Sequence, residues 1–271
     1  MLEFLYETIP GRIILKLLVH PKLSEICGRF LDTSFSKILI KPFVKKNNID
    51  LSMFYSEGFD CFNDCFARTI RPGYRNFDRN PKAFCAPCDG LLSVYPISKG
   101  VVIPVKGSRY SIARLLHSRK LAVQFEGGYC LVYRLCVNHY HRYSYFDNGV
   151  KGKNHFIPGV LHTVRPVALY NYPVFVENSR EFTVMKTENF GKVVQMEVGA
   201  MLVGKISNNH GACDFTKGQE KGCFLYGGST IIVLVKEDKV VIREKILNNT
   251  CNSVETPVKM GEAVGMAYGD I

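Results

Sequence analysis

The chain has 271 residues, 46% of them hydrophobic and 22% charged, which is enough apolar material for a substantial core and excludes a disordered or fibrous protein. Ten cysteines at irregular separations argue against a disulfide scaffold and for reduced thiols. The formal net charge of +11 is concentrated: residues 66–153 hold fifteen Lys and Arg against four acids, whereas residues 154–271 balance twelve against twelve. A basic band of this kind is either a solvated face or one that attracts nucleic acid or an anionic lipid surface, and the sequence has no nucleic-acid motif.

In chain order, the first element is an amphipathic helix. Ile13, Ile14, Leu17 and Leu18 recur at helical spacing beside Arg12 and Lys16, and Pro21 ends or kinks the pattern. A second stretch sets Phe30, Leu31, Phe35, Ile38, Leu39 and Ile40 among Lys37, Lys41, Lys45 and Lys46. No apolar run approaches the roughly 20 residues of a spanning helix. Two readings stand side by side, an interfacial helix at headgroup level and an ordinary helix packed on the core. Cys61 and Cys65 fall one turn apart on a further short helix.

Beyond Pro81 the texture changes to strand. Leu91–Ile97, Gly100–Val105, Tyr129–Val137, Val164–Tyr170, Phe182–Thr187, Val193–Val198, Met201–Ile206, Ile231–Val235 and Val240–Arg243 are short, β-branched or aromatic, and bounded by turn residues. Ser111–Leu116 reads as helix. Too few helical patterns intervene for βαβ units, so the expected fold class is α+β, with a helical region over residues 1–80 and a mainly antiparallel, sandwich or barrel-like body over 81–271. Cys85-Ala86-Pro87-Cys88 has the spacing of a metal knuckle, but a structural zinc needs four ligands, and no metal is expected.

Gly227-Gly228-Ser229-Thr230 precedes the apolar run Ile231–Val235 and by itself reads as a turn feeding a strand. Other segments change its meaning. Phe62-Asn63-Asp64-Cys65-Phe66-Ala67-Arg68, Cys85-Ala86-Pro87-Cys88-Asp89-Gly90, Lys106-Gly107-Ser108-Arg109-Tyr110-Ser111, Tyr140-His141-Arg142, Ile157-Pro158-Gly159, Glu177-Asn178-Ser179-Arg180-Glu181 and Val198-Gly199-Ala200-Met201-Leu202-Val203-Gly204-Lys205 follow one another in order and rough spacing. Together with the Gly-Ser-Thr segment they resemble the phosphatidylserine decarboxylase family. The resemblance runs over residues 50 to 235.

The resemblance implies a self-processing enzyme. Ser229 Oγ attacks the Gly228 carbonyl, the resulting ester is lost by elimination, and hydrolysis of the dehydroalanine leaves a pyruvoyl group at residue 229. The cut yields pieces 1–228 and 229–271. That group would form a Schiff base with the amine of phosphatidylserine and accept electrons as CO2 leaves, giving phosphatidylethanolamine. A serine needs a base. Asp89 stands where the family has its aspartate, and His141 is the expected base, with His139 and His162 as substitutes. The family commonly has Tyr-His-Arg-x-His, and here the last position is Ser144. A peripheral location on the cytoplasmic face of an anionic membrane follows, with neither signal peptide nor transmembrane helix expected, and a homodimer is compatible with the family. Two other readings stay open: a pyruvoyl-dependent decarboxylase of a soluble amino acid, and a lipid-binding homologue that never cuts.

Overall fold

A computed structural model describes residues 1–98, 100, 102–105, 108–201, 205–225 and 229–269. The N-terminal part is helical: α1 (Leu2–Glu7), α2 (Ile9–Leu18), α3 (Pro21–Leu31), a 3-10 turn over Ser34–Leu39 and α4 (Ile40–Lys46), followed after an irregular stretch by α5 (Phe62–Phe66). Thr8 caps α2 by accepting from the Gly11 N–H at 3.1 Å, with Pro10 in the first turn. The α1–α2 corner closes tightly because residue 11 has no side chain: a Cβ there would lie 1.9 Å from the Phe4 carbonyl oxygen. Pro21 does not kink a longer helix. It opens α3, where its missing N–H costs nothing.

The strands are β1 (Ala83–Cys85), β2 (Gly90–Pro96), β3 (Val102–Val105), β4 (Ser108–Ser111), β5 (Tyr129–Leu135), β6 (Arg142–Ser144), β7 (Gly149–Ile157) and β8 (Arg180–Thr187). They continue with β9 (Gly191–Val198), β10 (Lys205–Asn208), β11 (Cys213–Phe215), β12 (Glu220–Leu225), β13 (Ser229–Val235), β14 (Val240–Ile242), β15 (Thr256–Val258) and β16 (Ala263–Ala267). The main sheet is ordered β11-β7-β8-β9-β13-β5-β2-β15, and a small sheet β10-β12-β6 carries the strand that leads into Ser229. Every pairing between these strands is antiparallel. The α+β class is as the sequence indicates, and the sheets of the described residues are open, with no closed barrel.

Strand β13 is central, and all seven of its residues are buried. A strand covered on both faces needs a continuous apolar run rather than an alternation, which Ile231-Ile232-Val233-Leu234-Val235 supplies. One expected strand is wrong. Within Val164–Tyr170 the chain forms a helix over Pro166–Asn171, because Pro166 at the first helical position presets the backbone and Ala168 and Leu169 pack into the core. The expected strand Met201–Ile206 is described only from Lys205, since 202–204 lie outside the described residues.

Helix α1 is stitched to the body rather than hanging from it. The Tyr6 hydroxyl lies 3.2 Å from Nδ1 of His162 and accepts from the Thr163 N–H at 3.1 Å. Leu5, Tyr6, Leu15 and Val19 belong to the main hydrophobic core.

Candidate active site

The residues singled out from the sequence gather along one end of the main sheet. Ser229 begins β13 opposite Leu135, the last residue of β5. On its other side Thr230 pairs with Val198 at the end of β9, and Val198 in turn faces Arg180 at the start of β8. Across β5, Arg134 pairs with Leu91, which places Asp89 just ahead of β2 in the same row. Neighbouring strands lie about 4.8 Å apart, so the segments around 89, 135, 179, 199 and 229 form one continuous rim. Gly227 and Gly228 fall outside the described residues.

The segment 136–141 leaves β5 beside Ser229 and enters β6, which pairs with β12 through Arg142 and Cys223. The Phe224 N–H donates to the His141 carbonyl at 2.9 Å. His141 is thereby fixed to β12 as the chain passes from β5 to β6. Its ring is fully buried and packs on Phe66 of α5, with centroids 4.3 Å apart. Nδ1 lies 2.9 Å from the His139 carbonyl. A carbonyl only accepts, so Nδ1 carries the proton, and in the neutral ring Nε2 is the basic nitrogen.

Asp89 is held by three donors. Arg75 reaches it in a two-pronged contact, Nε to Oδ1 at 2.7 Å and Nη2 to Oδ2 at 2.6 Å, and the Met260 N–H adds a third bond at 2.9 Å. Both side chains of this ion pair are nearly buried, the setting in which a planar guanidinium matches a carboxylate best. His139 accepts from the Cys136 N–H through Nδ1 at 3.1 Å. Burial pushes its pKa down, with the charge of Asp89 pulling the other way. Ser144, which replaces the family's second histidine, is buried with Oγ 3.4 Å from the Met260 sulfur. His162 belongs to the α1 docking site: it stacks on Tyr172 at 4.5 Å, and burial lowers its pKa to about 4.

Ser229 is completely buried, and its Oγ has no hydrogen-bond partner among the described residues; Thr230 Oγ1 is in the same condition. Unpaired buried hydroxyls are costly and rare. Two in succession, at the start of the strand that follows Gly228, set this position apart among the described residues. An unengaged serine oxygen at this position fits a residue that is converted into a covalent carbonyl group. Among the described residues no set of three or more His, Cys, Asp or Glu is placed to hold a metal ion.

Three supporting groups escape a reading of the sequence. Arg75 sits in a turn-rich stretch with no periodicity to mark it. Arg68, buried over the Phe54 ring, donates from Nη2 to the carbonyls of Asn138 and His139 at 3.1 Å each and so clamps the histidine segment. Lys221 on β12 and Glu197 on β9 form a fully buried ion pair at 2.8 Å, completed by Gln195 and Asn208. Because Glu197 faces Ile231 of β13, this pair ties the strand before the Gly-Gly segment to the sheet beside the strand after it.

The phosphatidylserine decarboxylase family profile matches residues 62–266. The chain is 43% identical to phosphatidylserine decarboxylase proenzyme 2 of Clostridium acetobutylicum over 97% of its own length and 91% of that protein. It is 40% identical to the phosphatidylserine decarboxylase proenzyme of Ruminiclostridium cellulolyticum, over 98% and 90% of the two chains. For the proenzyme of Clostridium perfringens the identity is 39%, over 96% and 90%. With a matching profile across three quarters of the sequence and relatives aligned along nearly all of it, the chain belongs to the phosphatidylserine decarboxylase family.

Proposed function

We propose that this protein is a phosphatidylserine decarboxylase that matures by cutting itself between Gly228 and Ser229. The observation that carries the reading is Ser229 itself, a buried hydroxyl with no partner among the described residues, at the head of the central strand and opposite Leu135, from which the chain runs on to the buried ring of His141. In the cut, Nε2 of His141 takes the Ser229 proton and Oγ attacks the Gly228 carbonyl, moving the acyl group from nitrogen to oxygen. Loss of the Cα proton then expels residues 1–228 as a carboxylate, and water replaces the nitrogen of the dehydroalanine, releasing ammonia. The pyruvoyl group so formed at 229 supplies an electron sink for loss of CO2 from an amine-bearing substrate.

The remaining residues act by position. The proton on Nδ1, fixed by the His139 carbonyl, directs the basic nitrogen of His141 away from its own backbone, and the same nitrogen can return a proton at the carbon that loses CO2. Asp89, fixed by Arg75 and the Met260 N–H, pulls the pKa of His139 upward against its burial, which is the larger effect and keeps that pKa below the usual value. Closure of the rim by Phe66, Leu135 and Val198, all buried, excludes water from a carboxylate that must lose its charge.

Residues 1–80 serve in this reading as a membrane-associating region and 81–271 as the catalytic body. Ile9, Ile13, Leu17, Phe35 and Ile38 are exposed next to Arg12, Lys16, Lys37 and Lys41, the arrangement of an interfacial helix set at an anionic surface. No helix of the described residues is long and apolar enough to cross a membrane. The intact mass of purified protein tests the whole reading: two pieces divided after Gly228, the smaller bearing a ketone in place of its amine, support it. A single uncut chain that releases no CO2 from phosphatidylserine vesicles overturns it.

A further inference from the structure

Residues 66–68 close on the histidine segment with three successive grips. The Phe66 ring packs on the His141 ring, the Ala67 carbonyl accepts from Arg142 Nε at 2.8 Å, and Arg68 Nη2 donates to the carbonyls of Asn138 and His139 at 3.1 Å each. The third grip is the costly one. Arg68 is 2% exposed, enters no ion pair among the described residues, and has a buried Nε–H with no hydrogen-bond partner among them. Burial pulls its pKa down, and the carboxylate that opposes this, Asp89, is already taken by Arg75. A guanidinium so placed is harder to bury than an apolar side chain of similar volume.

Arg180 is buried as completely, but it has a structural task. Its acceptors are Arg114 and Leu115 at the end of helix Ile112–Leu116 and Val176 and Asn178 at the end of helix Val174–Glu177, carbonyls that a helix leaves open. The two acceptors of Arg68 Nη2 lie in the turn between β5 and β6 instead. One of them has a second donor. His141 Nδ1 lies 2.9 Å from the His139 oxygen, so guanidinium and imidazole each use one of its two lone pairs. Successive carbonyl oxygens turned toward one point repel each other unless a donor stands between them, and both need a partner away from water. Arg68 meets both needs. Without it the peptide after His139 is free to turn its carbonyl aside, and the ring loses the acceptor that decides which nitrogen carries the proton.

We propose that Arg68 is a positioning residue for the self-cleavage: by holding the His139 carbonyl it keeps the His141 proton on Nδ1 and leaves Nε2 as the nitrogen that takes the Ser229 proton. The setting of the ring is independent of the decarboxylase reading, and its use in the cut rests on that reading. In this arrangement a backbone carbonyl held by a buried cation does what a carboxylate does beside the histidine of a serine nucleophile, fixing the tautomer and the direction of the ring. Phe66 holds the ring by its face and Arg68 by its edge, from two positions of one short segment.

The test uses the full chain carrying Ser229→Ala, which stays uncut, with its seven histidines labelled with nitrogen-15. Long-range proton–nitrogen correlation at about pH 8, above the ordinary titration of histidine, reports which ring nitrogen is protonated, and the His141 signal is the one lost in His141→Gln. With Arg68 in place His141 is expected to be protonated at Nδ1 alone; in Arg68→Met both tautomers should appear, with His162, held by Tyr6, unchanged. With Ser229 restored, Arg68→Met should slow the cut about 10²-fold, the scale for a reacting group displaced by an ångström or so. Arg68→Lys, which keeps a cation but not the planar fork, should fall between the two. A His141 ring that is not confined to Nδ1–H with Arg68 present overturns the proposal, as does one that stays so confined in Arg68→Met, or a mixed ring that cuts at the wild-type rate. Should Arg68→Met fail to fold, Arg68→Lys decides by the same two readings. An uncut wild type whose ring still depends on Arg68 breaks the decarboxylase reading alone.

Discussion

The rim of the main sheet and the N-terminal helices are built on opposite plans. At the rim, charged and polar side chains are buried: Asp89 with Arg75, Glu197 with Lys221, Arg68, His141 and Ser229. On the helices, Ile9, Ile13, Leu17, Ile26, Phe35 and Ile38 stand exposed. Each is costly in water on its own terms, since a buried charge must be paired and bonded and a contiguous apolar surface attracts other apolar material. The contrast teaches that neither region is shaped for stability in solution. In the proposed function one serves a reaction and the other an interface, and α1 joins the two through Tyr6.

The comparison can be broken most sharply at Ser229. Ser229→Ala removes the nucleophile and should abolish the cut, leaving only the uncut chain in an intact-mass measurement; any two-piece product ending at 228 contradicts the assignment. His141→Ala should slow the cut by about 10² to 10⁴-fold, the range for loss of a positioned base. Time-resolved gel analysis of the freshly made chain measures it, and normal processing and turnover in this variant would transfer the role to another group.

Smaller effects probe what supports the rim and what exposes the helices. Lys221→Met or Glu197→Leu alone leaves an uncompensated buried charge and should cost about 3–5 kcal/mol, whereas the double variant should recover most of it; chemical denaturation of the single and double variants separates the cases. On the helices, Ile13→Ser with Leu17→Ser should change stability little, because both side chains are exposed. It should nevertheless reduce binding to anionic vesicles in a flotation assay. Equal vesicle binding would mean that the exposed face serves something else.

The joint between the regions is sensitive to pH. His162 has its pKa lowered by burial from 6.5 to about 4, so the unfolded chain binds more protons than the folded one between those values. Stability at this joint is therefore intact above about pH 6.5, declines as pH falls through the window, and levels off below about 4. Relative to the intrinsic exchange rate, which itself slows as pH falls, hydrogen exchange in α1 should accelerate between pH 7 and pH 5. In His162→Phe the acceleration should vanish, and if it persists another group controls the docking.

The chemistry-bearing segments were legible as short motifs in order, and the apolar run after Ser229 was legible as a strand, though not as the central one. What held those residues in place was not legible. Arg75 and Asp89 are fourteen residues apart across an irregular stretch and meet only because both loops fold onto the rim. Lys221 and Glu197 each sit inside a strand whose pattern gives no hint that its charge points inward. Strand β7 was missed for a related reason: Lys151, Lys153, Asn154 and His155 lack the β-branched character expected of a strand, and pairing with β8 and β11 supplies what propensity does not. The opposite error occurred at Val164–Tyr170, where apolar side chains fit strand or helix equally and Pro166 decided for helix.

Strand β13 is held between β9 and β5 along nearly its whole length. If the bond before Ser229 is cut as proposed, nothing covalent joins that strand to its neighbours, and the molecule becomes a two-chain complex with a one-way history. Before the cut, denaturant unfolds and restores a single chain whatever its concentration. Afterwards recovery requires two partners to meet, so it should slow on dilution and fail when the small piece is lost. Maturation thus exchanges reversibility for a reactive group, and the mature form endures through its barrier to dissociation rather than through any capacity to refold.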